Sequence, residues 1–232
     1  MKLIKSAVNY FSKGEILLWA CSVGLIVASF CIFDRENFLT LAASLIGTTS
    51  LIFNAKGNPA GQLLMIVFSI IYGFISFTFA YYGEMLTYLC MTMPMAVFAF
   101  VSWVKNPYSE GSAEVKVNRI TRRETVFMWI AAAVITLIFY FILSAFNTNN
   151  IIPSTISVTT SFVAVYLTFR RSPCYAIGYA ANDLVLIVLW VLAVLEDISY
   201  VSVVVCFAAF LVNDIYGFIS WNKMEKRQLE NA

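Results

Sequence analysis

Apolar residues fall into eight long runs separated by short polar breaks. The runs cover residues 16–33, 38–53, 62–81, 85–104, 124–146, 151–169, 174–195 and 199–221. A helix needs roughly 20 apolar residues to cross about 30 Å of hydrocarbon. Each run therefore predicts a transmembrane helix, the short second one by extending into its flanks. The breaks are DREN at 34–37, NAKGNP at 54–59, YGE at 82–84, a polar segment at 105–123, NTNN at 147–150, RRSP at 170–173 and EDI at 196–198.

Composition supports the same reading. Of the 232 residues 61% are hydrophobic and 12% charged, whereas a soluble domain has about half and about a quarter. A core of this size cannot hide that much apolar surface, so the expected class is an all-α polytopic membrane protein. Lys2, Lys5 and Lys13 precede the first run, as in a signal peptide. The run is long and no small-residue cleavage site follows, which predicts a retained anchor. Every lysine and arginine except Arg35 lies in alternate breaks counted from the N-terminus. The positive-inside rule then places both termini in the cytoplasm. The opposite turns are short and carry Asp34, Glu36, Glu84, Glu196 and Asp197.

The pattern repeats. Phe98-Ala99-Phe100-Val101-Ser102-Trp103 ends span 4 and Tyr216-Gly217-Phe218-Ile219-Ser220-Trp221 ends span 8. Spans 2 and 6 both finish Leu-x-Phe, then a polar or basic break, then Pro59 or Pro173. Spans 2–4 thus pair with spans 6–8, and the single helix between them makes the repeat parallel. The expected division is an N-terminal arm and extra helix (1–37), a first triplet (38–104), a cytoplasmic loop with linker helix (105–150), a second triplet (151–222) and a cytoplasmic tail (223–232). Parallel repeats are a known transporter plan, with the site between them near mid-membrane. The near-copy Tyr72-Gly73-Phe74-Ile75-Ser76 lies in a helix of opposite direction and is not equivalent.

Polar side chains within spans are costly and usually face a cavity or one another. Asn182-Asp183 in span 7 and Asn213-Asp214 in span 8 stand out. Each asparagine lies eight residues from its helix's cytoplasmic end, roughly 12 Å deep. Two amides at one depth on sequential antiparallel helices can meet across a cavity. Two readings stand: the pairs bind a solute, or they hydrogen-bond to each other and join helices. Asp183 and Asp214 orient the asparagines or stay protonated. Ser69 and Thr92 occupy similar depths in the first triplet, and Pro94 can kink or hinge span 4. Tyr216 shares a face with Asn213, and Tyr179 lies one turn from Asn182. Tyr88 and Trp190 lie toward the outer side, where they can stack on a ring or close a gate. Gln62 caps a helix or lines the inner mouth. Trp19, Trp103, Trp129 and Trp221 fit an interfacial aromatic belt. The hydroxyl run 154–161 is read as helix packing.

What is missing narrows the function. There is no histidine, the commonest general base and metal ligand. The five cysteines lie far apart without metal or redox spacing, so no metal and no cofactor is expected. The net charge of +2 does not suggest nucleic acid as a partner. No phosphate-binding loop, HExxH or GxSxG motif is present. The expectation is passage of a small polar solute. The alternatives are an intramembrane enzyme with Asp183 and Asp214 as paired carboxylates, and a scaffold whose polar pairs only pack helices.

Several stretches together resemble the PnuC family of bacterial vitamin transporters: YYGEMLTYLCMTMP (81–94), FRRSP (169–173), YAANDLVLIVLW (179–190) and VNDIYGFISW (212–221). The resemblance covers roughly residues 38–222, with the first span as an addition. It implies a SWEET-like fold and facilitated diffusion of nicotinamide riboside across the bacterial inner membrane, with a cytoplasmic kinase trapping the imported riboside. Relatives carry thiamin or riboflavin. Association of several copies is compatible with the plan. Some members place a tryptophan one turn before the span-7 asparagine; here that position is Gly178.

Overall fold

The structure, a computed structural model, describes residues 10–78, 81–148 and 150–231. Lys2 and Lys5 and the end of the third apolar run fall outside the described residues. The chain forms α1 (Lys13–Phe33), α2 (Phe38–Ala55), α3 (Ala60–Thr78), α4 (Tyr82–Val104), α5 (Arg122–Ala145), α6 (Ile151–Phe169), α7 (Tyr175–Val194) and α8 (Val201–Glu230). All eight are long and apolar enough to cross a membrane, α8 together with the 3₁₀ turn Ile198–Tyr200 that precedes it. Capping boxes start α1 (Ser12 with Glu15) and α5 (Thr121 with Glu124), each satisfying otherwise unpaired N–H groups. About half of the spans α2, α3 and α6 is buried inside the protein (56%, 50% and 50%), against 22% of α1 and 17% of α5. Those two helices therefore lie at the periphery and turn most of their surface to lipid.

The ends of α2 and α6 show the repeat in backbone detail. Asn58 N–H bonds to Phe53 O and Gly57 N–H to Asn54 O; Ser172 N–H bonds to Leu167 O and Arg171 N–H to Thr168 O. Both are Schellman turns with a left-handed residue after the helix, Gly57 at φ 63° and Arg171 at φ 58°. Pro59 and Pro173 follow at the same step. In this register Phe53 matches Leu167, so the Leu-x-Phe endings compared in the sequence are two residues out of step. The tryptophans cross over. Trp221 Nε1 of α8 donates to Asn54 O of α2 at 2.8 Å, and Trp103 Nε1 of α4 donates to Thr168 O of α6 at 2.9 Å. Each triplet's last helix thus caps the first helix of the other triplet. The two indoles meet with ring centroids 5.3 Å apart. They are buried, not members of an interfacial belt, because each ring N–H bonds a backbone carbonyl of a Schellman turn. Trp19 and Trp129 stay partly exposed, as a belt requires.

The polar segment after α4 ties both turns together. Val115 N–H bonds to Gly57 O and Asn118 N–H to Arg171 O, at equivalent places in the two triplets. Residues 223–230 form the last turns of α8. Gln228 accepts from Val117 N–H and donates to Glu114 and Val115 O, while Glu225 pairs with Arg119 and Glu114 with Arg227. Glu84 also departs from expectation. It is buried within α4 and accepts a hydrogen bond from Ser157 of α6 at 2.9 Å.

Candidate functional site

A small chamber lies between the two triplets. α7 contributes Tyr179, Asn182 and Asp183 to its wall, and α8 contributes Phe207, Phe210 and Asp214. The spacings i, i+3, i+4 and i, i+3, i+7 put each set on one helix face. Tyr88 and Thr92 enter from α4, Ser161 from α6, Leu51 from α2, and Met65 and Phe68 from α3. Tyr88 and Thr92 belong to a π-helical turn, Thr87–Thr92, closed by Met93 N–H to Tyr88 O. Pro94 has no N–H and displaces the carbonyl one turn back. The helix absorbs this by widening one turn, and the π turn presents both side chains to the chamber.

The carboxyl groups of Asp183 and Asp214 lie within hydrogen-bonding reach of each other. Both are buried, and Asp183 Oδ2 has no hydrogen-bond partner. Among the described residues no lysine or arginine lines the chamber. Asn182 Oδ1 accepts from Thr160 Oγ1 at 2.8 Å and Ser161 Oγ at 2.9 Å. The hydroxyl run at the start of α6 therefore both packs and holds a chamber residue. The sequence signal for Ser161 was there, but i−4 backbone bonding explained it equally well. Phe207 and Phe210 carried no signal against so many other phenylalanines.

The free volume is about 20 Å³, room for about one water. Aromatic clusters close both ends. Toward the α7–α8 turn Trp190 meets Tyr81 at 5.0 Å, Tyr200 at 5.5 Å and Tyr72 at 6.4 Å, and Tyr72 meets Tyr88 at 4.6 Å. Toward the α2–α3 turn Trp221 packs on Tyr175 at 5.0 Å and on Trp103.

Four expected wall residues lie elsewhere. Asn213 Nδ2 donates to Ser22 of α1 at 2.9 Å and to Ala209 O at 2.7 Å. Adjacent helix positions point about 100° apart, and Asp214 takes the chamber side. The two asparagines therefore do not meet. Tyr216 does share Asn213's face, but that face packs on α1, where the hydroxyl donates to Glu15 at 3.0 Å. Gln62 Nε2 donates to Asn54 Oδ1 at 2.8 Å and joins α3 to α2. Trp190 sits in the closing cluster, not on the wall. Gly178 faces α6, where a Cβ would come within 2.8 Å of Ala164 Cα. A tryptophan cannot occupy that position in this packing, and Tyr179 supplies the ring instead.

The family model described as "Nicotinamide mononucleotide transporter" matches residues 37–223. The chain belongs to this family. Among curated relatives, the nicotinamide riboside transporter PnuC of Neisseria mucosa is 26% identical over 201 residues, 84% of this chain and 76% of that protein. Its Haemophilus influenzae counterpart is 21% identical over 193 residues, 83% of this chain and 82% of that protein. A crystal structure of the vitamin B3 transporter PnuC superposes with a TM-score of 0.81 at 23% identity, covering 94% of both chains. The protein is thus a multi-pass membrane protein of a transporter family and not an enzyme.

Proposed function

We propose that this chain takes up nicotinamide riboside by facilitated diffusion across the bacterial inner membrane, with both termini in the cytoplasm, and that a cytoplasmic riboside kinase traps the solute. The observation that carries the reading is the chamber wall: two carboxyl groups, an amide, hydroxyls and aromatic rings, with no basic side chain among the described residues. A riboside offers hydroxyls and a carboxamide to such a wall, and its cationic ring suits aromatic faces and carboxyls. The family description names the mononucleotide, which differs by a phosphate. A buried phosphate beside two carboxyls and without a cation would carry a large desolvation cost. The wall therefore favours the riboside. The small resting volume means that side chains of the aromatic clusters must move to admit it, since ligand sites of this class need roughly 300 Å³ or more.

The test uses purified protein in sealed vesicles. Labelled nicotinamide riboside should equilibrate with no ion gradient and no ATP, and vesicles loaded with a riboside kinase and ATP should accumulate the phosphorylated product. Accumulation of free riboside above the outside level in empty vesicles would refute facilitated diffusion.

A further inference from the structure

Four arginines gather at one corner of the helix bundle, at the end that carries the basic breaks. Arg122 and Arg123 open α5, and Arg170 and Arg171 follow α6. Glu124, the only acid in segments 121–124 and 170–173, joins the two helix ends by pairing with Arg170 at 2.6 Å. The other three arginines have no ion pair among the described residues. Nε and Nη1 of Arg171 are shielded from solvent and meet no acceptor among the described residues. Arg122 and Arg123 stand in the first turn of their helix, where the macrodipole disfavours a cation. The corner thus holds an excess of positive charge that helix stability does not call for.

Below this corner an apolar groove of about 430 Å³ opens between α5 and α6. α5 lines it with Trp129, Ala133, Thr136 and Tyr140, and α6 with Thr155 and Thr159. Arg122 heads the same stripe of α5, since the spacing is i, i+7, i+11, i+14 and i+18. Arg170 shares the α6 face of Thr155 and Thr159 by the same helical count. The threonine hydroxyls are bonded within the protein. Thr155 donates to Ile151 O at 2.7 Å, and Thr136 and Thr159 bond each other at 2.7 Å. The groove therefore offers carbon surface and few hydrogen bonds. From Trp129 to Tyr140 is about 16 Å along the helix, about half of a 30 Å hydrocarbon core. Only 17% of this span is buried inside the protein. We propose that an anionic phospholipid occupies this face, with its head group at the arginine corner and one acyl chain in the groove. Charge selects the head group and the groove selects the chain. A free phosphate would satisfy only the first. The site is separate from the solute chamber and does not depend on which solute passes.

Native mass spectrometry on the purified full chain tests this. Phosphatidylglycerol and phosphatidylcholine with the same acyl chains are titrated in detergent. The expected result is one phosphatidylglycerol retained per chain, at least about tenfold more tightly than phosphatidylcholine. The double variant Arg122→Gln with Arg123→Gln should lose most of this preference, and it removes cations from a helix start, which does not endanger the fold. Ala133→Phe fills the groove at an exposed position and should weaken binding of phosphatidylglycerol at least about fivefold. Equal binding of the two lipids, or an unchanged preference in the arginine variant, overturns the proposal. Displacement of the lipid by equimolar glycerol phosphate, which has no acyl chain, would make the site one for free phosphates and overturn it too. So would dimers or trimers that exclude lipid and fall apart in Ala133→Phe, since a second copy would then fill the groove. Should Ala133→Phe misfold, quenching of tryptophan fluorescence by lipids with brominated chains decides. Brominated phosphatidylglycerol should quench the unaltered chain more than brominated phosphatidylcholine, and Trp129→Phe should remove the excess. Equal quenching by the two lipids overturns the proposal.

Discussion

Single residues separate binding from packing. Asn182 and Asn213 look alike in the sequence, yet one lines the chamber and the other holds α1. Asn182→Ala should weaken riboside binding at least about tenfold, an effect of one or two hydrogen bonds. Asn213→Ala should leave affinity unchanged and lower the melting temperature, because Ser22 loses its partner; parallel binding and melting curves check both. Arg171 shows the cost of a charge at a tight turn. It sits at φ 58°, a conformation that strains any residue with a Cβ. Burial and the neighbouring Arg170 also push its guanidinium below the usual range. Arg171→Gly should stabilise the fold by about 1 kcal/mol, read as a raised melting temperature. The arginine remains useful as a positive-inside marker, so the same variant should loosen orientation in a topology assay.

Elements are joined by exchange between the triplets. Trp221→Phe keeps the ring packing and removes the indole hydrogen bond to Asn54 O, which Gly57 N–H still satisfies, a loss of about 0.5–1.5 kcal/mol. Trp103→Phe should do the same at Thr168 O, since the geometry is equivalent. The two indoles touch, so a double-mutant cycle should give a coupling of about 0.5 kcal/mol or more. Purely additive effects in denaturation would contradict a shared clasp. The π turn in α4 was not readable from Pro94, which signalled a kink. Which way a helix relieves a proline depends on what fills the extra space, and here Tyr88 and Thr92 do.

For the molecule as a whole, closure at both ends is the main consequence of packing. Cys206 is buried beside Tyr72 and Phe207 in the cluster that includes Trp190. With Cys21, Cys31, Cys90 and Cys174 replaced by serine, a water-soluble thiol reagent should label Cys206 slowly. Trp190→Ala removes the centre of the closing cluster and should raise the labelling rate at least about tenfold. Equal rates, measured by mass spectrometry, would place the barrier elsewhere.

The eight spans, their order and the existence of two matched triplets were determined by the sequence, because the hydrocarbon core imposes a minimum length of apolar helix on any crossing. The sequence also showed that Asn182, Asp183, Asn213 and Asp214 had to be accounted for, since polar groups at that depth need partners. It could not say which partners. A helix face has a direction only relative to its neighbours, and α1, which stands outside the repeat, takes Asn213 and Tyr216. Tertiary structure alone brought the two carboxyls together, drew Trp103 and Trp221 inward and set Tyr179 where Gly178 leaves no room for a side chain. Periodicity records which side of a helix is polar; the angle at which helices dock decides what that side meets.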